Sequence, residues 1–341
     1  MQLPSAFDRY RSAIDAEVRS ALATYTAPLY DMLRYHLGWI DAQGRPADGT
    51  AGKALRPTLC LLACEALGDG YAQALPAAAA IELVHNFSLI HDDVQDDDRE
   101  RRHRPTVWAI WGKPQAINAG TAMRVLASLT LLRLGDHGVP AEVQLEAQRL
   151  LDESCLRLIE GQYLDISFEG RLDVGLDEYL QMIGLKTAAL ISCALEVGAL
   201  LAGSDRSTRE AFRELGHNLG LAFQIRDDVL GIWGDEAKTG KPAGSDIRRR
   251  KKSLPIIYAL ERAPDGAREV LAGFYRGGAV DDEAVATVLG ILDGIGARAK
   301  AQALAVACCE RALARMGGMA LAPWARQSLE EMADFLAQRD F

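Results

Sequence analysis

The sequence lacks the features that mark several common protein classes. Strand signals are nearly absent, because the β-branched residues are scattered and no run alternates apolar with polar positions. The six cysteines show no paired spacing and no CxxC or Cys/His cluster, which argues against a disulfide framework and a zinc site. A net charge of −9 over 341 residues argues against a general nucleic-acid binder, so we expect no nucleic-acid partner.

The chain also lacks a clear export or membrane segment. Residues 1–20 are amphipathic and charged throughout, unlike a signal peptide. The longest apolar window, TAALISCALEVGALLAG, contains Glu196 and falls short of a clean membrane span. We therefore expect a buried core helix there, no transmembrane segment, and a cytoplasmic protein.

What the sequence has in abundance is helical periodicity. Alanine and leucine dominate, and the breaks between periodic segments carry Gly, Pro or Asp. Segments 73–98 and 207–235 are apolar nearly all round, which predicts a central position. The other predicted helices cover residues 5–26, 28–39, 54–68, 115–134, 141–168, 176–202, 252–262, 265–275, 282–292, 294–316 and 321–338. With no repeat and no flexible linker, the pattern predicts an all-α fold formed by a single domain over residues 1–341.

The stretch LIHDDVQDDDRERRHRPT, residues 89–106, places a cluster of aspartates at the end of the first central helix. Asp92 and Asp96 are one helical turn apart on the same face, and Asp93 lies beside them. Like charges at a helix carboxyl end repel one another and the helix dipole, so a cation is expected there. Carboxylates suit Mg²⁺, which binds one or two of them together with water and substrate phosphates. A solvated acidic helix end, neutralised by neighbouring arginines, is the alternative.

A second acidic helix end favours the magnesium interpretation. The motif FQIRDD, residues 223–228, closes the other central helix with Asp227 and Asp228. Two apolar helices that each end in paired aspartates can face one another across a cavity. Their metals would then hold one phosphorylated ligand between them.

Basic residues near four helix ends complete this pattern. In GKALRP, Lys53 and Arg56 lie at the start of a helix, where backbone N–H groups also favour an anion. The others are Arg101, Arg102, Lys186 with Thr187 beside it, Lys241, Lys251 and Lys252. Each alone is typical of a surface charge. Together with the two acidic ends they predict a pocket for two anionic head groups above an apolar interior.

These motifs together resemble those of the trans-isoprenyl diphosphate synthases, the polyprenyl synthetase family. The resemblance extends over nearly the whole chain, in the family's order, through GKALRP, HNFSLIHDDVQDDDRERRHRPT, EGQYLD, LKTAAL, FQIRDD and TGKPAGSDI…KKSLP. It implies an all-helical bundle around a deep central cavity, usually as a homodimer. It also implies head-to-tail condensation of isopentenyl diphosphate with an allylic diphosphate, with Mg²⁺ as the cofactor.

The resemblance also implies roles for individual residues. The expected Mg²⁺ ligands are Asp92, Asp96 and Asp227, with Asp93 in support. Isopentenyl diphosphate is expected to contact Lys53, Arg56, His85 and Arg102. The allylic diphosphate, or the cation that develops on it, is expected to contact Arg101, Lys186, Thr187, Gln224, Lys241 and Lys251. For His85 a satisfied core histidine is the alternative.

Three positions depart from the family's pattern. The second aspartate motif usually reads DDxxD, but Gly231 stands at its last place, and Asp235 one turn further on is a doubtful substitute. His103 stands where glycine is usual, and Thr121 where aspartate is common. None of the three removes an expected ligand, although metal affinity at the second motif is expected to be weaker.

Two other functions stay open. A class I terpene cyclase would use the same fold and metals, but it needs one diphosphate pocket, which would leave Lys53, Arg56 and Arg102 without a role. A non-catalytic subunit of a heteromeric synthase would be expected to have lost ligands that are present here.

The resemblance also bears on product length. Phe87 and Ser88, one to two turns before the first aspartate, are expected to meet the growing chain, and an aromatic residue there tends to stop elongation early. We predict geranylgeranyl diphosphate as the product, with farnesyl diphosphate next. That Phe87 merely packs against a neighbouring helix is the alternative.

Overall fold

The computed structural model describes residues 3–47, 52–235, 243–277 and 280–339. Over these residues the chain is a succession of helices. They are α1 Ser5–Leu22, α2 Pro28–His36, α3 Leu55–Leu67, α4 Leu75–Gln95, α5 Val107–Trp111, α6 Lys113–Leu132, α7 Ala141–Phe168, α8 Leu176–Ile183, α9 Ala189–Leu201, α10 Arg206–Trp233, α11 Ser245–Arg248, α12 Leu254–Arg262, α13 Asp265–Tyr275, α14 Asp282–Gly294, α15 Ala297–Ala314 and α16 Pro323–Gln338. The predicted all-α fold is confirmed.

Local sequence explains where many helices begin. Proline occupies the first helical turn of α2, α4, α6, α12 and α16, where its missing N–H costs nothing. Asp205 caps α10 by accepting a hydrogen bond from the Thr208 N–H at 2.8 Å, and Asp281 caps α14 in the same way through Ala284. These caps anchor helix ends near the positions that the periodicity predicts.

The main core forms where α3, α4, α9 and α10 pack together, with α6 against α4 and α15 against α10. Helices α4 and α10 correspond to the two predicted central segments. Helix α9 is the most apolar of the four and is buried almost throughout. A second apolar cluster lies under the carboxyl end of α10, among helices α11 to α14. The prediction of one domain over residues 1–341 stays a prediction.

The segment predicted as one helix over 176–202 is interrupted. Helix α8 ends at Ile183, a π-helical turn spans Gly184–Ala188, and α9 follows. The segment Leu176–Leu201 is long and apolar enough to cross a membrane, but 78% of its most apolar window is buried inside the protein. Its burial is that of a core helix, as the sequence predicts.

The first acidic stretch ends differently from the prediction. Helix α4 stops at Gln95 rather than at residue 98, and a short hairpin follows, with β1 Glu100–Arg101 paired to β2 Arg104–Pro105. Its two-residue turn places Arg102 and His103 at φ +52° and +60°. Through this hairpin Arg101 returns to the end of α4, where it binds Asp93.

Candidate active site

The first aspartate cluster occupies the last turn of α4. Asp92 is partly buried, and Asp96 is more exposed. Burial raises the pKa of Asp92, and the neighbouring charge of Asp96 raises it further, while the ammonium of Lys186 opposes both effects. Burial likewise raises the pKa of Asp96. Two acids whose ionised forms are disfavoured provide a position where a divalent cation would be stabilised.

Asp93 faces the other side of α4. It is 1% exposed, and Arg101 binds its Oδ1 through Nε at 2.8 Å and through Nη2 at 2.7 Å. Burial raises the pKa of Asp93 to about 6 despite this partner. Asp93 therefore holds Arg101 and the hairpin in place, which fits a supporting role. The Arg101 guanidinium is correspondingly ion-paired with Asp93.

Lys186 lies on the π-helical turn between α8 and α9. Its ammonium binds Asp165 of α7 at 2.6 Å. Burial alone would lower the pKa of Lys186, but the charges of Asp92 and Asp165 outweigh burial and raise it. Gly161 allows the backbone of α7 to approach the π-helical turn closely. A Cβ at Gly161 would overlap the Lys186 backbone nitrogen and lie 2.5 Å from its Cα. Single π-turns of this kind are frequent at functional sites.

Thr187 and Gln224 join this turn to α10. The Thr187 hydroxyl donates to Gln224 Oε1 at 2.7 Å, and the Gln224 amide donates to Asp228 Oδ1 at 3.2 Å. Asp228 is fully buried and also accepts hydrogen bonds from the Tyr179 hydroxyl and, at 2.8 Å, from the Leu254 N–H. Asp228 thus serves as an anchor between helices, whereas the Asp227 side chain is 42% exposed.

Asp227 forms an ion pair with Arg339, a residue that the sequence reasoning missed. Arg339 is 5% exposed, and its guanidinium lies 4.1 Å from the centre of the Phe223 ring. Arg226 Nε donates to the Arg339 carbonyl at 2.6 Å and holds the segment in place. A lone arginine far along the chain carries no motif, so only the tertiary structure reveals it.

A basic pocket of about 380 Å³ lies beside this pair. Its lining includes four residues predicted to bind isopentenyl diphosphate, Lys53, Arg56, His85 and Arg102, together with Arg339. Burial lowers the pKa of Arg56 to about 10, still far above neutral pH, so its charge persists. Burial, and then the charges of Arg56 and Arg102, hold the pKa of His85 well below its usual range. His85 is therefore a neutral hydrogen-bonding group there.

A largely apolar cavity of about 560 Å³ opens below the first aspartates. Asp92 lies at one end, and the wall includes Phe87, Ser88 and Thr121. The Phe87 ring meets the His91 ring edge to face, with centroids 5.7 Å apart. Both residues predicted to affect chain length therefore line the same space.

The loop after α10 contributes Lys251, whose ammonium lies 3.6 Å from Asp228 Oδ1 and 3.9 Å from Asp246 Oδ2. Burial would lower the pKa of Lys251, but these carboxylates raise it well above its ordinary value. Lys241, predicted to contact the allylic diphosphate, lies outside the described residues.

The donor set fits Mg²⁺. Over the described residues no group of three or more His, Cys, Asp or Glu side chains is arranged to hold a metal by itself. Mg²⁺ does not need such a group, because it takes one or two carboxylates and completes its octahedron with water and phosphate oxygens. Asp92, Asp96 and Asp227 supply such carboxylates at the ends of α4 and α10.

Comparison with known proteins decides the family. The model of the polyprenyl synthetase family matches residues 43–292. The chain belongs to that family. The predicted family is thereby confirmed.

Several members of the polyprenyl synthetase family are similar over much of their length. A (2E,6E)-farnesyl diphosphate synthase of Mycobacterium tuberculosis is 50% identical over 241 residues, which cover 71% of this chain and 66%, just under two thirds, of that protein. A short chain isoprenyl diphosphate synthase of Methanothermobacter thermautotrophicus is 38% identical over 100% of this chain and 99% of its own. The crystal structure of a polyprenyl synthetase from Streptomyces coelicolor superimposes with a TM-score of 0.89 at 39% identity, covering 97% of this chain and 98% of that one. Other relatives are named geranylgeranyl and geranylfarnesyl diphosphate synthase.

Proposed function

We propose that the protein condenses isopentenyl diphosphate head-to-tail with an allylic diphosphate to form a short-chain prenyl diphosphate. The observation that carries this proposal is the presence of two separate regions that contain cationic side chains. One is bordered by Asp92, Asp96 and Lys186, and the other is the basic pocket around Arg56. A terpene cyclase ionises a single diphosphate and would have no use for the second pocket.

The aspartate-bordered region would hold the allylic diphosphate. Lys186, anchored by Asp165, and Lys251, anchored near Asp228, direct positive charge towards it. When bound at Asp92, Asp96 and Asp227, Mg²⁺ would supply the Lewis acidity that stabilises a departing diphosphate. Thr187, next to Lys186 on the π-turn, and its partner Gln224 would present side-chain oxygens, whose dipoles suit a developing allylic cation.

The basic pocket would hold isopentenyl diphosphate. Arg56 and Arg102 offer charge-assisted hydrogen bonds to its phosphate oxygens, and the neutral His85 can donate one more. This arrangement would keep the five-carbon group beside the allylic site, so that the reaction would become effectively unimolecular. The largely apolar cavity below would limit the access of water to the cation.

For the product we propose geranylgeranyl diphosphate, with farnesyl diphosphate next. Phe87 borders the cavity one to two helical turns below Asp92, at a rise of about 1.5 Å per residue. The relatives' names span farnesyl to geranylfarnesyl products, so family membership alone does not select a length.

We further propose that the protein acts in the cytoplasm as a homodimer. Helices α6 and α7 expose an unusual number of large apolar residues, among them Leu145 at 72%, Tyr163 at 71% and Leu156 at 58%. Tyr163 and Leu156 also line the apolar cavity, which is open on this face. A second copy covering α6 and α7 would bury these side chains and close the cavity. Size-exclusion chromatography with light scattering should therefore give twice the chain mass.

The function is tested by incubating the purified protein and Mg²⁺ with isopentenyl diphosphate and each short allylic diphosphate in turn. Chromatography of the dephosphorylated products should reveal chains extended by five carbons. Excess EDTA should abolish product, and Asp92→Ala should lower kcat by orders of magnitude, whereas Asp265→Ala, at a carboxylate 94% exposed, should not. Cyclic hydrocarbons in place of extended diphosphates would instead identify a cyclase.

A further inference from the structure

The second aspartate motif lacks one carboxylate. Asp227 and position 231 lie four residues apart on α10 and so share a face, but position 231 is Gly231. Asp235, the substitute that the sequence offers, is exposed and lies beyond Trp233, where α10 ends. It does not continue the helical face of Asp227.

A different carboxylate occupies the space that Gly231 leaves. A Cβ built on Gly231 would overlap Asp246 Oδ2 and lie 2.8 Å from Asp246 Oδ1. The Asp246 side chain therefore lies where a side chain at position 231 would begin. Glycine at 231 and aspartate at 246 form a steric pair, since any larger residue at 231 would displace the carboxylate.

Hydrogen bonds from the two residues that precede Asp246 hold it in this position. The Ser245 hydroxyl donates to the Gly231 carbonyl at 3.1 Å, and the Gly244 N–H donates to the Ile232 carbonyl at 3.0 Å. Asp246 itself is only 9% exposed. The short helix α11 is thus fastened to the end of α10, and its aspartate is presented from outside that helix.

The remaining carboxylate of the motif cannot fill the gap. Asp228 is fully buried and engaged by Tyr179, Leu254 and Gln224. A carboxylate that already accepts three hydrogen bonds from protein donors is poorly placed to bind a cation as well. Asp246 is adjacent to the gap, and the residues that precede it hold it there.

We propose that Asp246 supplies the carboxylate that position 231 lacks, and that it helps to hold a divalent cation with diphosphate at the end of α10. This inference rests on the proposed function, because that function requires the cation there. The second motif is then completed in space by residues 227 and 246, although it is broken in sequence.

The competing explanation is that Asp246 only positions Lys251. The Lys251 N–H donates to the Asp246 carbonyl at 2.9 Å, and the two side chains are 3.9 Å apart. In that case Lys251→Met would weaken cation binding as much as the loss of the Asp246 charge. For Mn²⁺ alone, measured without diphosphate, a direct role predicts the opposite, because removing a neighbouring positive charge leaves cation binding unchanged or tighter.

The test measures Mn²⁺ binding in the presence of inorganic diphosphate, using electron paramagnetic resonance of free Mn²⁺ and the full chain. Asp246→Asn keeps the shape and removes the charge, and it should weaken Mn²⁺ binding roughly ten-fold or more. Asp282→Asn is the matched control, since Asp282 is 92% exposed and pairs with Arg248 of the same short helix α11. The control should bind Mn²⁺ as the wild type does.

A double variant tests the steric pair. Gly231→Asp with Asp246→Ala moves the carboxylate onto α10, and Mn²⁺ affinity should return to within a few-fold of wild type. This variant also decides the matter if Asp246→Asn fails to fold by circular dichroism. Weak binding by the folded double variant would overturn the proposal.

Asp92→Asn distinguishes a failure of the role proposed for Asp246 from a failure of the proposed function. If Asp92→Asn weakens Mn²⁺ binding and Asp246→Asn does not, the role of Asp246 is refuted while the proposed function stands. If neither variant changes Mn²⁺ binding, the metal site of the proposed function fails together with this inference.

Discussion

Replacing Phe87 with alanine should lengthen the product. The Phe87 side chain is 5% exposed and borders the cavity that begins at Asp92. One turn deeper on α4 lie Leu83 and Val84, both fully buried. Removal of the ring would move the obstruction back by about one helical turn, roughly 5.4 Å. That distance is comparable to the length of one five-carbon unit, so the main product should gain one unit.

The substitution also has a cost in stability. Truncation of a fully packed phenylalanine to alanine destabilises a protein by about 3–5 kcal/mol. Because one side of the Phe87 ring already borders an open cavity, we expect a loss of about 3 kcal/mol. A folded enzyme with a longer product is therefore the expected result, and denaturant titration should show the lowered stability.

The control is Phe274→Ala in the second apolar cluster. Phe274 is 6% exposed, like Phe87, but it lies on α13, away from the cavity. It should lose comparable stability without any change in product. Ser88→Phe should act in the opposite direction and shorten the product. An unchanged product from Phe87→Ala at full turnover would show that the obstruction is not Phe87, and the reasoning would be refuted.

Three further predictions concern charge and backbone. Arg56→Ala should mainly raise the KM for isopentenyl diphosphate, and Lys186→Ala should mainly impair use of the allylic diphosphate; identical effects of both on both substrates would contradict two separate pockets. His103→Gly should raise the free energy of unfolding by about 1 kcal/mol, because glycine adopts the left-handed backbone at φ +60° without strain. Burial lowers the pKa of Lys252 to about 8, below its value in the unfolded chain. The folded state therefore releases this proton at a lower pH than the unfolded state does, and the free energy of unfolding increases as the pH rises from 8 to 10. Lys252→Met should remove about 2 kcal/mol of that gain, measured by urea unfolding at both pH values.

The aspartate clusters could be predicted from the sequence because they depend on local geometry. Helical periodicity sets which residues share a face, and Asp92 with Asp96 follows from a four-residue spacing on one continuous helix. The all-α fold follows from the same periodicity. The resemblance to the polyprenyl synthetase family depended on these local motifs and their order.

Contacts between separate segments of the chain explain where the sequence prediction was incomplete. The segment 176–202 reads as one continuous helix, but the close approach of Gly161 to Lys186 coincides with a π-turn in its middle. Nothing within that segment announces the interruption, because the contact comes from another helix. The periodicity likewise places the end of α4 at residue 98, three residues beyond its observed end at Gln95. The hairpin that follows α4 depends on the pairing of residues 100–101 with residues 104–105, which periodicity does not reveal.

Only the tertiary structure could decide which groups meet Asp227 and Gly231. Arg339 pairs with Asp227 across 112 positions of chain, and Asp246 fills the space beside Gly231 from a separate helix. Contacts between segments that are distant in sequence depend on how helices pack and on how loops cross their ends. A sequence pattern records which side chains share one helix, whereas packing determines which side chains of different helices occupy the same space.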